Sequence, residues 1–204
     1  MKKILSVKQI RQIEAKEFKK RGNTFSLMVN AGKNCAKKII KLIKKQHVTI
    51  VAGKGNNAGD GFIIAEYLRK KNFKVELYSL TEDFYKGDAL KAFKKIKVKK
   101  NNIFKFKTKK NSVLIDCLFG TGINRPIVGK IKSVISEVNK SRKIISIDIP
   151  SGINGDSGKI MGCAVKANTT LAIHAKKIGH TLNFGKIYSG KIIIIDIGIS
   201  KQLT

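Results

Sequence analysis

Polar and glycine-rich segments follow three apolar runs of the sequence, and they contain the residues best suited to chemistry. These segments are residues 53–61 (GKGNNAGDG), residues 119–126 (FGTGINRP) and residues 150–152 (PSG). Asp116 and Asp148 stand near the ends of two of the apolar runs. A carboxylate in such surroundings costs free energy unless it has hydrogen bonds, a cation or a catalytic task. The sequence therefore predicts that the three segments and the two acids share one site.

The first segment formally matches the dinucleotide-binding pattern GxGxxG/A through Gly53, Gly55 and Ala58. That pattern also needs an acid at the end of the next strand, whereas Glu76 lies near the middle of the predicted one. A P-loop is excluded because no Gly-Lys-Ser/Thr follows. What remains is a loop whose glycines allow close backbone approach and whose helix N-terminus suits a phosphate. A tight strand-to-helix turn without a ligand is the alternative.

The Asn56-Asn57 pair is harder to explain as a turn. Two carboxamides suit a sugar, a nicotinamide carboxamide or a hard cation, and Asn57, Asp116 and Ser151 could offer oxygens to one cation. Neutral oxygens with a single carboxylate suit a monovalent ion better than Zn²⁺, which prefers His or Cys. Purely structural hydrogen bonding of these three residues is the alternative. The three histidines have no metal-binding spacing, and we expect each of them on the surface or in the core: His47, His174 and His180.

Helical and strand patterns alternate along the chain, which predicts a parallel sheet covered by helices on both faces. The carboxyl ends of such strands would bring the three segments together. We find no repeat and no linker, and we expect one domain over residues 1–204. The predicted helices are 6–20, 25–45, 62–71, 83–95 and 130–139, and the predicted strands are 48–51, 75–80, 112–118, 144–149, 169–175 and 191–195.

The charge of the chain is extreme, with 43 Lys and Arg against 13 Asp and Glu, a net charge of +30. Only five of the basic residues are Arg, the residue that phosphate-reading sites favour, so we interpret the charge as a composition bias. Nucleic-acid binding is therefore not expected. In residues 94–110, Phe104 and Phe106 alternate with lysines and could stack on bases. We favour an edge strand with both phenylalanines inward and the lysines outward.

The cellular compartment can be inferred from the apolar runs and the cysteines of the sequence. No apolar run reaches the roughly 18–20 residues of a membrane-spanning helix, and charged residues interrupt any signal-peptide core near the N-terminus. Three widely spaced cysteines fit neither a disulfide framework nor a CxxC metal site. We expect a cytoplasmic protein that does not enter a membrane.

Four segments together resemble the N-terminal domain of the YjeF group, the NAD(P)H-hydrate epimerases: VAGKGNNAGDG, DCLFGTGINRPI, IDIPSGINGDSG and IIIIDIGI. The resemblance extends over essentially the whole chain. It implies a Rossmann-like three-layer α/β/α sandwich with a mostly parallel central sheet, and a homodimer. The implied activity is interconversion of the R and S forms of NADHX or NADPHX, the cofactors hydrated at C6 of the nicotinamide ring.

The resemblance also implies the residues that would act. It gives Asp148 beside the reacting ring, one K⁺ per subunit held by Asn57, Asp116 and Ser151, and a separate dehydratase that consumes the S form. Ala58 replaces the family's usual glycine, and we expect its methyl group to meet the ligand. The implied substrate contacts are Asn56, Asn57, Ala58, Gly59, Asp60, Gly120, Thr121, Gly122, Ile123, Asn124, Arg125, Pro126 and Asp148.

The chemistry of such a substrate sets what the site must do. C6 is a carbinolamine carbon, so the nitrogen lone pair can expel the hydroxyl group and water can return to either face of the flat ring. One carboxyl group, here Asp148, can alternate between acid and base. Ring opening and closure is a second route. The rival functions are a catalytically silent binding or scaffold protein, with RNA as a partner of its basic surface, and an NAD(P)-dependent dehydrogenase.

Overall fold

Strands and helices alternate through the computed structural model, which describes residues 4–43 and 47–199. The helices are α1 (Val7–Arg21), α2 (Phe25–Leu42), α3 (Asn56–Lys70), α4 (Gly87–Lys95), α5 (Lys130–Val138) and α6 (Asn183–Tyr188). The strands are β1 (Ile4–Leu5), β2 (His47–Ala52), β3 (Val75–Ser79), β4 (Lys100–Asn102), β5 (Ser112–Cys117), β6 (Ile144–Ile147), β7 (Thr169–Ile173), β8 (Lys176–Lys177) and β9 (Lys191–Ile195). Short 3₁₀ turns occupy Glu82–Phe84, Ile103–Lys105 and Ile178–His180.

A seven-stranded sheet has the order β4-β3-β2-β5-β6-β7-β9, and every neighbouring pair in it is parallel. From β2 the chain builds outward in one direction through β3 and β4, and then in the other direction from β5. The order therefore reverses between β2 and β5. In open α/β sheets, ligands bind at such a reversal, beyond the carboxyl ends of the strands.

Apolar side chains cover both faces of this sheet, as the near-continuous apolar strands predict. On one face, Ile39 of α2 and Phe62 of α3 belong to the same buried cluster as Ile115 of β5. On the other face, Val138 of α5 belongs to a cluster with Leu114 of β5. Helix, sheet and helix thus form three layers, which confirms the predicted fold class.

Helix α3 begins at Asn56, six residues earlier than predicted, so most of the expected glycine-rich loop is helical. The glycines are explained by close packing. A β-carbon at Gly59 would lie 2.5 Å from the sulfur of Met28, and one at Gly61 would lie 2.9 Å from the β-carbon of Cys117. Packing against α2 and β5 thus overrides the poor helix propensity of glycine.

The predicted edge strand is present, but it lies at β4, ahead of the two phenylalanines. Phe106 is inward, with only 4% of its surface exposed, and its ring packs edge-on against Tyr78. The prediction is wrong for Phe104, which is 49% exposed. The 3₁₀ turn at Ile103–Lys105 breaks the strand alternation that would have placed both rings on one face.

The remaining differences concern where elements end. The helix predicted over 83–95 is divided into a 3₁₀ turn and α4, and α2 ends at Leu42, with residues 44 and 45 of its predicted range outside the described residues. The predicted strands 112–118, 144–149 and 169–175 end one to two residues early.

Among the described residues, no helix has the length and apolar character required to cross a bilayer.

Candidate active site

A cavity of about 1490 Å³ opens where the strand order reverses. Its walls come from the start of α3, from the segment after β5 and from the residues after β6 and β7, and α1 closes one side through Ile10, Arg11 and Glu14. Eleven of the thirteen expected substrate contacts line it: Asn56, Asn57, Asp60, Gly120, Thr121, Gly122, Ile123, Asn124, Arg125, Pro126 and Asp148.

Ala58 and Gly59 face away from this cavity. Ala58 is fully buried in the apolar cluster between α3 and the sheet. We expected its methyl group to meet the ligand, but it contacts the core. Gly59 backs onto Met28 and Ala89. The replacement of glycine by alanine at position 58 therefore changes packing behind the site.

Asp148 enters the cavity through a sharp turn at the end of β6. Its backbone φ is +69°, its N–H donates to the carbonyl of Leu171 at 2.8 Å, and the N–H of Ile149 donates to the carbonyl of Ile147 at 2.9 Å. A residue other than glycine in this region costs about 1–3 kcal/mol and persists only where its surroundings fix it. The turn takes the chain out of the sheet and leaves the Asp148 side chain 15% exposed.

Lys177 is the partner of Asp148, and sequence reasoning gave it no role. Its side chain is 1% exposed, and its ammonium group donates to Asp148 Oδ1, to the carbonyl of Ile173 at 2.8 Å and to the carbonyl of Ala175 at 3.1 Å. An ammonium group has three protons, so each has an acceptor. The only signal in the sequence is the position of Lys177, two residues after the end of the predicted strand 169–175 and directly before Ile178-Gly179.

The turn that supplies those carbonyls repeats the one at Asp148. His174, at the end of β7, has a φ of +64°, and the N–H of Ala175 donates to the carbonyl of Ile173 at 2.7 Å. Because β6 and β7 are neighbours in the sheet, the two turns lie side by side. One turn provides the carboxylate and the other provides the carbonyl oxygens that hold its counter-charge.

His180 fixes the backbone of Lys177. It is buried, and its Nδ1 accepts the N–H of Lys177 at 2.9 Å, so the neutral ring carries its proton on Nε2. Burial, followed by the charge of Lys177, lowers the pKa of His180 from 6.5 to about 4. His180 is therefore uncharged at neutral pH and acts as a positioning residue.

The second oxygen of Asp148 is directed toward Gly120. A β-carbon at Gly120 would lie 3.3 Å from Asp148 Oδ2 and 3.4 Å from the β-carbon of Asn57. Glycine thus keeps open the space between the carboxylate and the carboxamide. A group bound there would contact both.

Two further carboxyl groups line the cavity near this pair. Burial, then the charges of Asp148 and Glu14, raise the pKa of Asp60 well above its ordinary value, against the opposing charge of Lys177. Burial and the charge of Asp148 also raise the pKa of Glu14. The charges of Asp148 and Lys177 therefore act on both of these carboxyl groups, and Asp60 and Glu14 keep their protons to higher pH than free carboxyl groups do.

Asp116 and Ser151 lie buried behind the cavity wall. Asp116 accepts four hydrogen bonds: from the N–H of Leu118 at 3.1 Å, the hydroxyl of Ser146 at 2.7 Å, the N–H of Ser151 at 3.0 Å and the hydroxyl of Ser151 at 2.5 Å. Burial raises the pKa of Asp116, and these hydrogen bonds oppose the rise. Asp116 thus has the structural hydrogen bonding that was the alternative to a cation.

Asn57 is different, because neither its amide oxygen nor its amide nitrogen has a hydrogen-bond partner within the described residues, although the side chain is only 6% exposed. The segment Phe119-Gly120 connects it to the buried group behind, since the N–H of Phe119 donates to Ser151 Oγ at 2.9 Å. A buried carboxamide without partners costs about 1–3 kcal/mol. The described residues contain no cluster of three His, Cys, Asp or Glu side chains of the kind that holds a transition metal.

Comparison with known proteins identifies the family of the chain. Residues 24–179 match the family described as YjeF-related protein N-terminus, and the chain belongs to that family. It is 34% identical to the NAD(P)H-hydrate epimerase of Lentilactobacillus buchneri over 210 residues, and this alignment covers 98% of this chain and 96% of that protein. It is 31% identical to the NAD(P)H-hydrate epimerase of Rhodopirellula baltica, over 97% of this chain and 84% of that protein.

A longer relative and a solved structure complete the comparison. The bifunctional NAD(P)H-hydrate repair enzyme Nnr of Coxiella burnetii is 30% identical over 96% of this chain, which corresponds to 41% of that protein. The crystal structure of yeast ynu0 superposes with a TM-score of 0.75 at 22% identity, covering 89% of this chain and 84% of the yeast chain. That similarity supports the fold.

Replacing Asp60 by Asn is expected to stabilise the protein at pH 7, because it removes a carboxyl group whose pKa is raised in the folded state. Above pH 3.8, the ordinary pKa, the unfolded chain loses this proton while the folded chain keeps it. The stability of the natural protein relative to Asp60→Asn therefore falls as pH rises toward the folded-state pKa, and stays low above it. Urea unfolding between pH 4 and pH 8 measures the difference.

The exposed carboxylate of Asp83 provides the control. Asp83→Asn should change the free energy of unfolding by less than about 0.5 kcal/mol at each pH. A difference for Asp60→Asn that does not vary with pH would contradict the raised pKa.

Proposed function

We propose that this member of the YjeF-related family is an isomerase that interconverts the R and S epimers of hydrated NADH and NADPH. Its relatives of similar length are named NAD(P)H-hydrate epimerases. The observation that carries the proposal is the orientation of Asp148, whose Oδ1 accepts a hydrogen bond from buried Lys177 while its Oδ2 is directed to the space beside Asn57 and Gly120. We propose that residues 1–204 act as one domain of this type.

The proposed reaction uses Asp148 first as an acid. The acid form of Asp148 carries a proton, taken up from water, on Oδ2 while Oδ1 keeps its contact with Lys177. The lone pair of the ring nitrogen forms a C–N double bond as the C6–O bond breaks, and Asp148 gives this proton to the departing hydroxyl, which leaves as water. The ring is then flat at C6. A water molecule adds to either face while the Asp148 carboxylate accepts its proton, and the C–N double bond returns its electrons to nitrogen.

The other residues hold the reactants. Lys177 fixes one oxygen of Asp148, so that the second oxygen keeps its direction through both proton transfers. Gly120 leaves room for the ring between Asp148 and Asn57. The amide groups at the start of α3, where Gly55 precedes the first helical residue, suit the phosphates of the substrate. Asn56, Asp60 and residues 121–126 line the remaining walls.

K⁺ is part of the proposal, with Asn57, Asp116 and Ser151 as the residues that would hold it. The unpartnered oxygen of Asn57 is the donor that supports a ligand there, and buried Asp116 supplies negative charge. Oxygen donors with a single carboxylate suit a monovalent cation. When bound, the ion would supply positive charge at the substrate site.

The proposal extends to the setting of the reaction. We propose that a dehydratase activity removes the S epimer, because two relatives, from Coxiella burnetii and Thermofilum pendens, are named bifunctional NAD(P)H-hydrate repair enzymes. A homodimer is proposed from the resemblance, and a cytoplasmic location is proposed from the three widely spaced cysteines. A dehydrogenase is less favoured, because Glu76 lies near the amino end of β3, where it forms an ion pair with Lys109, and it does not line the cavity.

Replacing Asp148 by Asn should lower the rate of epimerisation by about 10²–10⁴-fold, the usual contribution of a general acid–base group. The assay is proton NMR of an R/S mixture from which a dehydratase has removed the S form, with loss of residual R as the signal. Asp196→Asn, an exposed acid outside the cavity, is the control and should retain full activity. A folded Asp148→Asn variant with nearly natural activity would disprove the assignment.

Exchanging K⁺ for tetramethylammonium should slow epimerisation and lower the thermal stability of the natural protein. At a K⁺ concentration about ten times the Kd, binding to the folded state alone contributes about 1.4 kcal/mol. Thermal unfolding in each salt, at equal ionic strength, measures this difference. The difference should vanish in Asn57→Ala and persist in Asn111→Ala, an exposed asparagine in the turn before β5 and outside the cavity. Equal stability of the natural protein in both salts would contradict the proposed K⁺ site.

A further inference from the structure

The cavity continues well past the acid–base group to two exposed phenylalanines that the proposed reaction does not use. Phe84 is 44% exposed and Phe104 is 49% exposed, and both line the cavity. Phe84 ends the 3₁₀ turn after β3, and Phe104 lies in the 3₁₀ turn after β4. The neighbouring Phe106 is packed in the core, so the exposure of Phe104 is a property of its position and not of the whole segment.

The distance between the two ends of the cavity is set by the sheet. Asp148 follows β6 and Phe104 follows β4, with β5, β2 and β3 between them. Four strand spacings of about 4.8 Å correspond to about 19 Å. The cavity volume of about 1490 Å³ also exceeds the roughly 300–1,000 Å³ typical of small-ligand pockets. A ligand that fills it has a second recognition group far from the reacting ring.

The chemistry at the far end identifies that group. Two exposed aromatic faces suit a planar base, because base–aromatic stacking tolerates any base. Lys54 lies 4.6 Å from the centre of the Phe84 ring and lines the same cavity, as does Arg125. A cation beside an aromatic ring suits a phosphate attached to a base. Asp88, the acid in this part of the lining, is paired with Lys91 and accepts the hydroxyl of Thr24.

We propose that Phe84, Phe104 and Lys54 form a second subsite, which stacks the adenine base of the dinucleotide and holds its phosphates. This inference rests on the proposed function, because the occupant is the far half of the molecule whose nicotinamide ring contacts Asp148. The subsite makes the enzyme selective for a hydrated dinucleotide over a hydrated nicotinamide mononucleotide. No step of the reaction depends on it.

Binding of ADP-ribose, which lacks the nicotinamide ring, tests the subsite without the reaction. Calorimetric titration should show binding to the natural protein and a loss of about 5- to 150-fold in affinity for Phe104→Ala, which corresponds to the ~1–3 kcal/mol of one stacked base. Phe104→Tyr keeps an aromatic face and should restore binding. Phe18→Ala, an equally exposed phenylalanine on α1 outside the cavity, should bind like the natural protein.

Kinetics then separate this inference from the proposed function. Phe104→Ala should raise KM for hydrated NADH at unchanged kcat, and should leave KM for hydrated reduced nicotinamide mononucleotide unchanged. If the enzyme is active and Phe104→Ala binds ADP-ribose as tightly as the natural protein does, the subsite is overturned and the proposed function is left intact. An inactive protein that binds ADP-ribose through Phe104 overturns the epimerase function and leaves the subsite intact. Equal losses with both substrates would also contradict the subsite.

Discussion

The buried ammonium group of Lys177 is the constraint on which the site depends. Removing a charge from water costs several kcal/mol unless its partners replace the lost solvation, and Lys177 meets that requirement with one carboxylate and two carbonyl oxygens. Those oxygens lie in the place where they are needed only because β6 and β7 both end in a turn with positive φ. The strain at Asp148 and His174 is thus maintained by the charge that the two turns enclose.

Sheet topology determines what this pair faces. The loops after β2 and β5 meet in backbone contact, since a β-carbon at Gly53 would lie only 2.1 Å from the carbonyl oxygen of Leu118. Beyond that contact the chain after β2 continues toward β3 and the chain after β5 continues toward β6, on opposite sides of the sheet order. The cavity opens between α3 and the segment 120–126. A rigid, glycine-lined floor and a fixed carboxylate are properties that acid–base chemistry on a planar ring requires.

Sequence reasoning recovered the parts that local patterns determine and missed those that depend on packing. The apolar run over residues 112–118 predicted a strand covered on both faces, which the structure has at Ser112–Cys117. The three polar segments predicted that one site lies at the carboxyl edge of the sheet. The early start of α3 was missed because Gly59 and Gly61 resemble loop residues until α2 and β5 are placed against them. Lys177 was missed because burial distinguishes it from its many exposed counterparts, and burial follows only from the tertiary fold.

A double-mutant cycle on Lys177 and Asp148 tests the central claim most directly, with the free energy of urea unfolding as the measured quantity. Lys177→Met leaves the carboxylate without its buried partner and should cost about 3–5 kcal/mol. Asp148→Asn should also destabilise the protein, and the double variant should be more stable than the sum of the two single effects by about 1–3 kcal/mol. Additive effects within about 0.5 kcal/mol would show that the two residues do not interact, and would contradict the account.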